Sequence, residues 1–228
     1  MAHLPTLLGL GSGSSNDEIC RAVFEFVDKR LHYLVFSTLE TDGARPAARG
    51  LDVNLLSDGR LYFGIARGKP VYEELAARPY TVGTGVYLTE DHLSIACRIS
   101  GEVAPAQDPD RVAEYWALNP GTRSMYRKHP EVFSIFYLRA GEGELFHVCD
   151  PDHCARLRFG FGGAAPRPPR YVIDPGRCVG CGLCAENCLT DVIHPAGECF
   201  FIDHTGCLEC GVCRELCPNG AVLQNGYR

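Results

Sequence analysis

Eight cysteines fall in two runs of one spacing: Cys178, Cys181, Cys184 and Cys188, then Cys207, Cys210, Cys213 and Cys217, each C-x2-C-x2-C-x3-C, with Pro218 after the second. No other feature of the chain limits its local fold so tightly. Three cysteines at this spacing wrap one face of a cubane, and the fourth, one helical turn on, points at a second one. Two 4Fe-4S clusters are therefore expected. Cys178, Cys181, Cys184 and Cys217 would ligate the first, and Cys207, Cys210, Cys213 and Cys188 the second. Zinc uses two separated CxxC pairs or Cys/His pairs, and a double run of four exceeds that geometry. Cys199 lies between the runs and reads as a small apolar strand residue. His194 and His204 read as surface residues, since all eight coordination places already have a cysteine.

The rest of the composition bounds the setting. At 228 residues the chain can form one large domain or two smaller ones. With 46% hydrophobic and 22% charged residues it reads as soluble and globular. No apolar run nears the roughly 18 residues that span a bilayer, and the opening MAHLPTLLGL lacks signal-peptide features. We therefore expect a cytoplasmic protein with no membrane association, whose thirteen cysteines are not a disulfide framework. A net charge of −6 with mixed signs leaves no basic stripe for nucleic acid.

Residues 158–170, RFGFGGAAPRPPR, are rich in Gly and Pro and read as a linker. This divides the chain into a flexible leader (1–15), a front domain (16–157), the linker and a cysteine-bearing domain (171–228). From Tyr171 onward seven acidic residues face three basic ones, against twenty-one and nineteen before it. That imbalance suits docking to a basic redox partner, or is a solvated surface.

The leader's GLGSGSSN lacks a preceding strand and the G-x-G-x-x-G spacing of a dinucleotide site. Asn16 is a candidate N-cap before Asp17 and Glu18. Ile19, Val23, Phe24, Val27 and Leu31 then recur at helical spacing, predicting a helix to about Arg30. Next come HYLVFSTLE and ARPAARGLDVNLL, parted by TDG, and RLYFGIA after SDG, two hairpin signals in a row. KPVYEELAAR reads as a helix closed by Pro79. Further strands are expected at PYTVGTGVYL, HLSIACRISGEVAPA and FSIFYLRAGEGELFHVC, with a helix at PDRVAEYWAL. The fold class is α+β: a small antiparallel barrel with peripheral helices, followed by the cysteine domain. Cys20 and Cys97 read as core residues. Cys149, His153 and Cys154 offer at most three ligands to a further metal.

Two resemblances follow from these stretches. Residues 171 to 228 resemble a bacterial-type two-cluster ferredoxin domain, with strand-like pieces at Tyr171 to Ile173 and Cys199 to Ile202, although Leu189 stands where that family often has proline. Residues 16 to 150 resemble the pyridoxamine-phosphate-oxidase-like flavin-binding split barrel. The carrying stretches run from YLVFSTLETDGARPAARG to EELAARPYTV, with LSIACRISGEVAP, SMYRKHPEV and FYLRAGEGELFHV after them. The barrel resemblance implies FMN, with the phosphate held by Arg49 and by Arg67, Gly68 and Lys69. It also implies that strand backbone at Leu51, Asp52, Phe63 and Gly64 flanks the ring. Members of this family also bind deazaflavin coenzyme or haem, and are typically homodimers with the flavin in the interface. The substrate residues of vitamin B6 oxidation are not recognisable here. Tyr126, Arg127, Lys128 and His129 form a polar patch that closes over the flavin or is a solvated loop.

A flavin beside two one-electron clusters converts between single electrons and pairs. The expectation is an iron–sulfur flavoprotein reductase of an anaerobe, acting on a small organic acceptor. A non-catalytic carrier serving a partner protein, and an oxygen or redox sensor, are the alternatives. No motif supplies a catalytic acid, and Tyr126 and His129 are the candidates for proton donation.

Overall fold

The computed structural model describes residues 7–90, 93–150 and 152–226. Helix α1 (Asn16–Phe26) begins at a reciprocal cap. The Ser15 side chain accepts from the Glu18 N–H, and the Glu18 carboxylate accepts from the Ser15 N–H at 2.8 Å. The cap is thus Ser15 and not Asn16, because only Ser15 has a glutamate three residues on. Asn16 instead bonds both backbone groups of Gly160. The α-helix stops at Phe26, short of Arg30, and passes into a π-helical turn, Val27–Leu31. The part of the expected leader at residues 1–6 lies outside the described residues. Leu7 is buried in the main core and pairs with Leu10, while Leu8, Gly9, Ser12 and Gly13 of the leader are exposed.

Seven antiparallel strands follow: β1 (Tyr33–Leu39), β2 (Pro46–Ser57), β3 (Arg60–Ala66), β4 (Tyr80–Leu88), β5 (Ser94–Pro105), β6 (Phe133–Asp150) and β7 (His153–Phe161). Helix α2 (Pro70–Ala77) joins β3 to β4, while α3 (Pro109–Leu118) and α4 (Pro120–Met125) join β5 to β6. The β2/β3 turn places Asp58 and Gly59 at φ 51° and 66°, the left-handed pair that a twisted two-residue hairpin needs. Six strands close a barrel in the order β1, β2, β3, β6, β5, β4 and back to β1. Alternation fills it: Leu34 and Phe36 of β1, Leu51 and Val53 of β2, and Leu61, Phe63 and Ile65 of β3 all point inward. Cys97 is fully buried, and that burial pushes its thiol up to about 12, as for an inert core residue.

The long β6 is shared. It pairs with β5 along most of its length, with β3 through residues 133–137, and with β7 through residues 141–150. Strand β7 runs through Phe161, so residues 158–161 of the expected linker are sheet. Ala155, Leu157, Phe159 and Phe161 alternate onto the barrel core and α1, and a strand with that pattern has a face to bury.

After residue 170 come β8 (Tyr171–Ile173), α5 (Leu183–Glu186), β9 (Ile193–Ala196), β10 (Cys199–Ile202), α6 (Val212–Glu215) and β11 (Val222–Gln224). β8 pairs with β11 and β9 with β10. A small core of Val192, Ile193, Ile202, Cys213 and Val222 lies between the two strand pairs.

Candidate functional site

Each cysteine run bends at two left-handed positions. Gly180 and Gly182 lie at φ 66° and 80°, and Glu209 and Gly211 at 58° and 86°. The second of these starts a single helical turn, α5 or α6, that carries Cys184 or Cys213 back toward the first two cysteines. The turn then ends just before Cys188 or Cys217.

The outcome is two hollows. Cys178, Cys181, Cys184 and Cys217 line one, walled by Ile173, Phe200 and Val222. Cys207, Cys210, Cys213 and Cys188 line the other, walled by Tyr171, Val192 and Ile202. The fourth cysteine of each run thus stands in the opposite hollow. Among the described residues no three His, Cys, Asp or Glu side chains gather closely enough for one metal ion. Four thiols ringing an apolar hollow instead fit a compact inorganic cluster.

Backbone N–H groups turn toward the sulfurs. The Glu209 N–H reaches Cys207 Sγ at 3.3 Å, and the Ala221 N–H reaches Cys217 Sγ at 3.2 Å. Burial would raise the Cys217 thiol, but the N–H groups of Ala221, Asn219, Val222 and Gly220 together bring it below its usual value. Cys199 donates to the Ala196 carbonyl, His204 lies 2.9 Å from the Tyr171 carbonyl and His194 packs on Phe201; none of them lines a hollow. The three possible ligands of CDPDHC diverge. His153 pairs with Asp150 at 2.8 Å, and Cys154 donates to the Gly206 carbonyl at 3.0 Å.

In the barrel, the Arg49 guanidinium lies 2.8 Å from the buried Glu74 carboxylate of α2 and also bonds Thr38. Neither partner was expected, although Glu74 follows Val71 at helical spacing and so shares its buried face. The pairing ties Arg49 to the helix whose N-cap is Lys69. Arg67 bonds Ser134 at 2.9 Å through its side chain and the Val132 carbonyl at 2.7 Å through its N–H. Gly68 and Lys69 are exposed, and nothing crowds the Cα of Gly68.

Lys69 offers an ammonium, Gly68 an open backbone and Arg49 the guanidinium N–H groups that Glu74 and Thr38 leave over, which are the donor types a phosphate group takes. Leu51 is buried and Asp52 faces outward. The Phe63 ring belongs to the core, 4.8 Å from Phe36 and 6.0 Å from Phe136, which leaves only its backbone for a ligand. Gly64 has no room for a Cβ, because the Phe133 ring and Tyr115 hydroxyl occupy that place.

The patch of residues 126–129 adjoins this loop. Tyr126 packs on Phe133 at 4.8 Å, and His129 pairs with Glu131 at 3.0 Å. On the outer face of the barrel, Tyr33, Val35 and Leu39 of β1 and Tyr80, Val86 and Leu88 of β4 leave an exposed apolar surface.

The second cysteine run is bonded to strand β7. The Arg156 N–H donates to the Thr205 carbonyl at 2.7 Å, Cys154 donates to that of Gly206, and Arg156 Nε donates to that of Cys207 at 3.2 Å. Strand β7 therefore holds three consecutive carbonyls where the second cysteine run begins. Among the described residues no helix is long and apolar enough to cross a membrane.

Comparison with known proteins agrees with both halves. The family described as a 4Fe-4S binding domain matches residues 171–194, which contain the first cysteine run. No curated protein sequence matches the chain. Among solved structures, a NimC/NimA family protein from Clostridium acetobutylicum is 19% identical with a TM-score of 0.53, over 64% of this chain and 94% of that one. PhzG from Burkholderia lata, solved with tetrahydrophenazine-1-carboxylic acid, is 16% identical with a TM-score of 0.51, over 68% and 92%. At such identities the likeness establishes the fold alone. The chain therefore joins a barrel with the fold of these two structures to a segment similar to the 4Fe-4S binding domain family.

Proposed function

We propose that the protein is an iron–sulfur flavoprotein oxidoreductase, with a 4Fe-4S cluster in each four-cysteine hollow and FMN at the corner of Arg49, Arg67, Gly68 and Lys69. One observation carries this reading: the second cysteine run is bonded straight onto β7, the seventh strand of the barrel's sheet, so the cysteine module and the barrel are built onto one sheet. A bound flavin supplies the change between one-electron and two-electron transfer. The chain would exchange single electrons with a protein partner at the cysteine module and electron pairs with a small organic acceptor at the barrel. Arg49 and Lys69 hold the phosphate, and Glu74 fixes the direction of Arg49. The apolar face of β1 and β4 is the surface on which a second copy of the chain would pack, making a homodimer.

Anaerobic purification tests the reading. About eight iron atoms per chain and one released FMN are expected; zinc, or the absence of flavin, would overturn it. Replacing Arg49 and Lys69 together by alanine should abolish flavin retention and leave cluster absorption intact. Mixing the reduced protein with small acceptors separates enzyme from carrier: reoxidation by none of them, with transfer to a protein partner, would make it a carrier.

A further inference from the structure

The two cysteine loops have one spacing and one backbone path, yet they differ at a single telling position. Two residues after its first cysteine, the first loop has Gly180 at φ 66°, and the second has Glu209 at φ 58°. Glycine adopts this left-handed conformation freely and an L side chain does not. The second loop thus bears a backbone cost that the first avoids, at a residue whose side chain has partners of its own.

That side chain is almost enclosed. Its carboxylate lies 2.7 Å from the Arg158 guanidinium and 3.8 Å from that of Arg156, and it accepts the Arg170 N–H at 2.8 Å. The two arginines also reach Glu144 of β6, at 2.7 Å from Arg156 and 3.1 Å from Arg158, and Arg156 stacks 4.3 Å over the Phe146 ring. The four side chains retain only 8 to 18% exposure. Buried charges at such a distance from bulk water interact strongly, and a net-neutral ladder of this kind secures a geometry more than it adds stability. The first loop has nothing comparable: Gly180 has no side chain, and Val179 beside it is 65% exposed.

We propose that Glu209, clamped by Arg156 and Arg158, is a positioning residue that makes the two cluster sites unequal. It seats the site of Cys207, Cys210, Cys213 and Cys188 against the barrel as the inner one. Its negative charge offsets the arginines and keeps the reduction potential of that site low. The site of Cys178, Cys181, Cys184 and Cys217 is left as the outer one, open to a protein redox partner. The inference rests on the reading that both hollows hold clusters.

The test is a redox titration of the full, anaerobically purified chain, followed by the paramagnetic resonance of the two reduced clusters. Glu209→Gln should raise the potential of one cluster alone, by at least a tenfold change in its reduction equilibrium, about 59 mV for one electron. Arg158→Gln should lower the potential of the same cluster. Cys210→Ser should alter that same signal, assigning it to the inner site. Glu209→Gly copies the first loop and relaxes its turn, so it should assemble the full iron content and still show the upward shift. Potentials that stay fixed, move together, or move in one direction for both charge variants would overturn the proposal while leaving the two-cluster reading intact. A wild-type chain holding one cluster would overturn both.

Discussion

The barrel buries Phe24, Phe36, Phe63, Phe159, Leu138 and Leu145 to 2% exposure or less, and its core takes in residues from α1 and most strands. The cysteine module has five buried side chains in its core, one of them a ligand candidate, with four further cysteines and four other half-buried residues packed around. Two bodies that meet at one strand thus differ in what holds them: one has a large filled interior, the other a small core ringed by cysteines. If the hollows hold clusters, as proposed, a module with so small an apolar core draws much of its stability from them. The largest effect expected follows from that difference. Anaerobic removal of iron with a chelator should abolish the protection of amides in β8 to β11, while the amides of β1 to β6 remain protected in hydrogen exchange. Loss of protection across the whole chain would show that the barrel leans on the module and would end the comparison.

Phe159 probes the barrel side of the shared strand. Its ring meets Phe24 edge-on at 5.8 Å, lies 6.3 Å from Phe161 and is fully buried. Phe159→Ala should cost about 3–5 kcal/mol in a denaturant titration of the barrel, without changing the iron bound at rest. Iron loss in the folded variant would mean that β7 transmits core packing to the cysteine loops more firmly than its hydrogen bonds require.

Much of this was legible beforehand, for identifiable reasons. Strands β1 to β6 show in their alternation, and the β2/β3 hairpin in its Asp-Gly turn. The partition of cysteines between the hollows follows from spacing alone. Strand β7 was concealed by the Gly- and Pro-rich run that begins in its last residues, although Ala155, Leu157, Phe159 and Phe161 already alternate. The Glu18 signal for Ser15 was also present and outweighed by the more familiar cap Asn16. What one-dimensional reading could not reach were pairings between distant residues. Glu209 meets Arg158 across 51 positions, and Glu74 meets Arg49 from a different element. Charge partners of that kind leave no periodic trace.

Gly64 sharpens the barrel side further. The Phe133 ring and the Tyr115 hydroxyl fill the place of its missing Cβ, and Phe133 opens the strand that later carries β7. Gly64→Ala should cost about 1–3 kcal/mol by overpacking, again read in denaturant. A smaller cost would show that Phe133, which is only half-buried, can swing outward.

The smallest effect expected is at Ser15. Ser15→Ala removes the acceptor for the Glu18 N–H and should cost about 1 kcal/mol. Glu18→Gln keeps an acceptor for the Ser15 N–H, so it should cost less. The pair separates two sources of the helix's stability. Val23, Phe24 and Phe26 anchor α1 by burial, and Asn16 ties it to Gly160 of β7. If Ser15→Ala costs nothing, those contacts alone hold the helix. If it costs the full amount, the cap and the packing add as independent terms. A core assembled from many such small terms loses any one of them and still stands, whereas the cysteine module has a single ligand chemistry to lose.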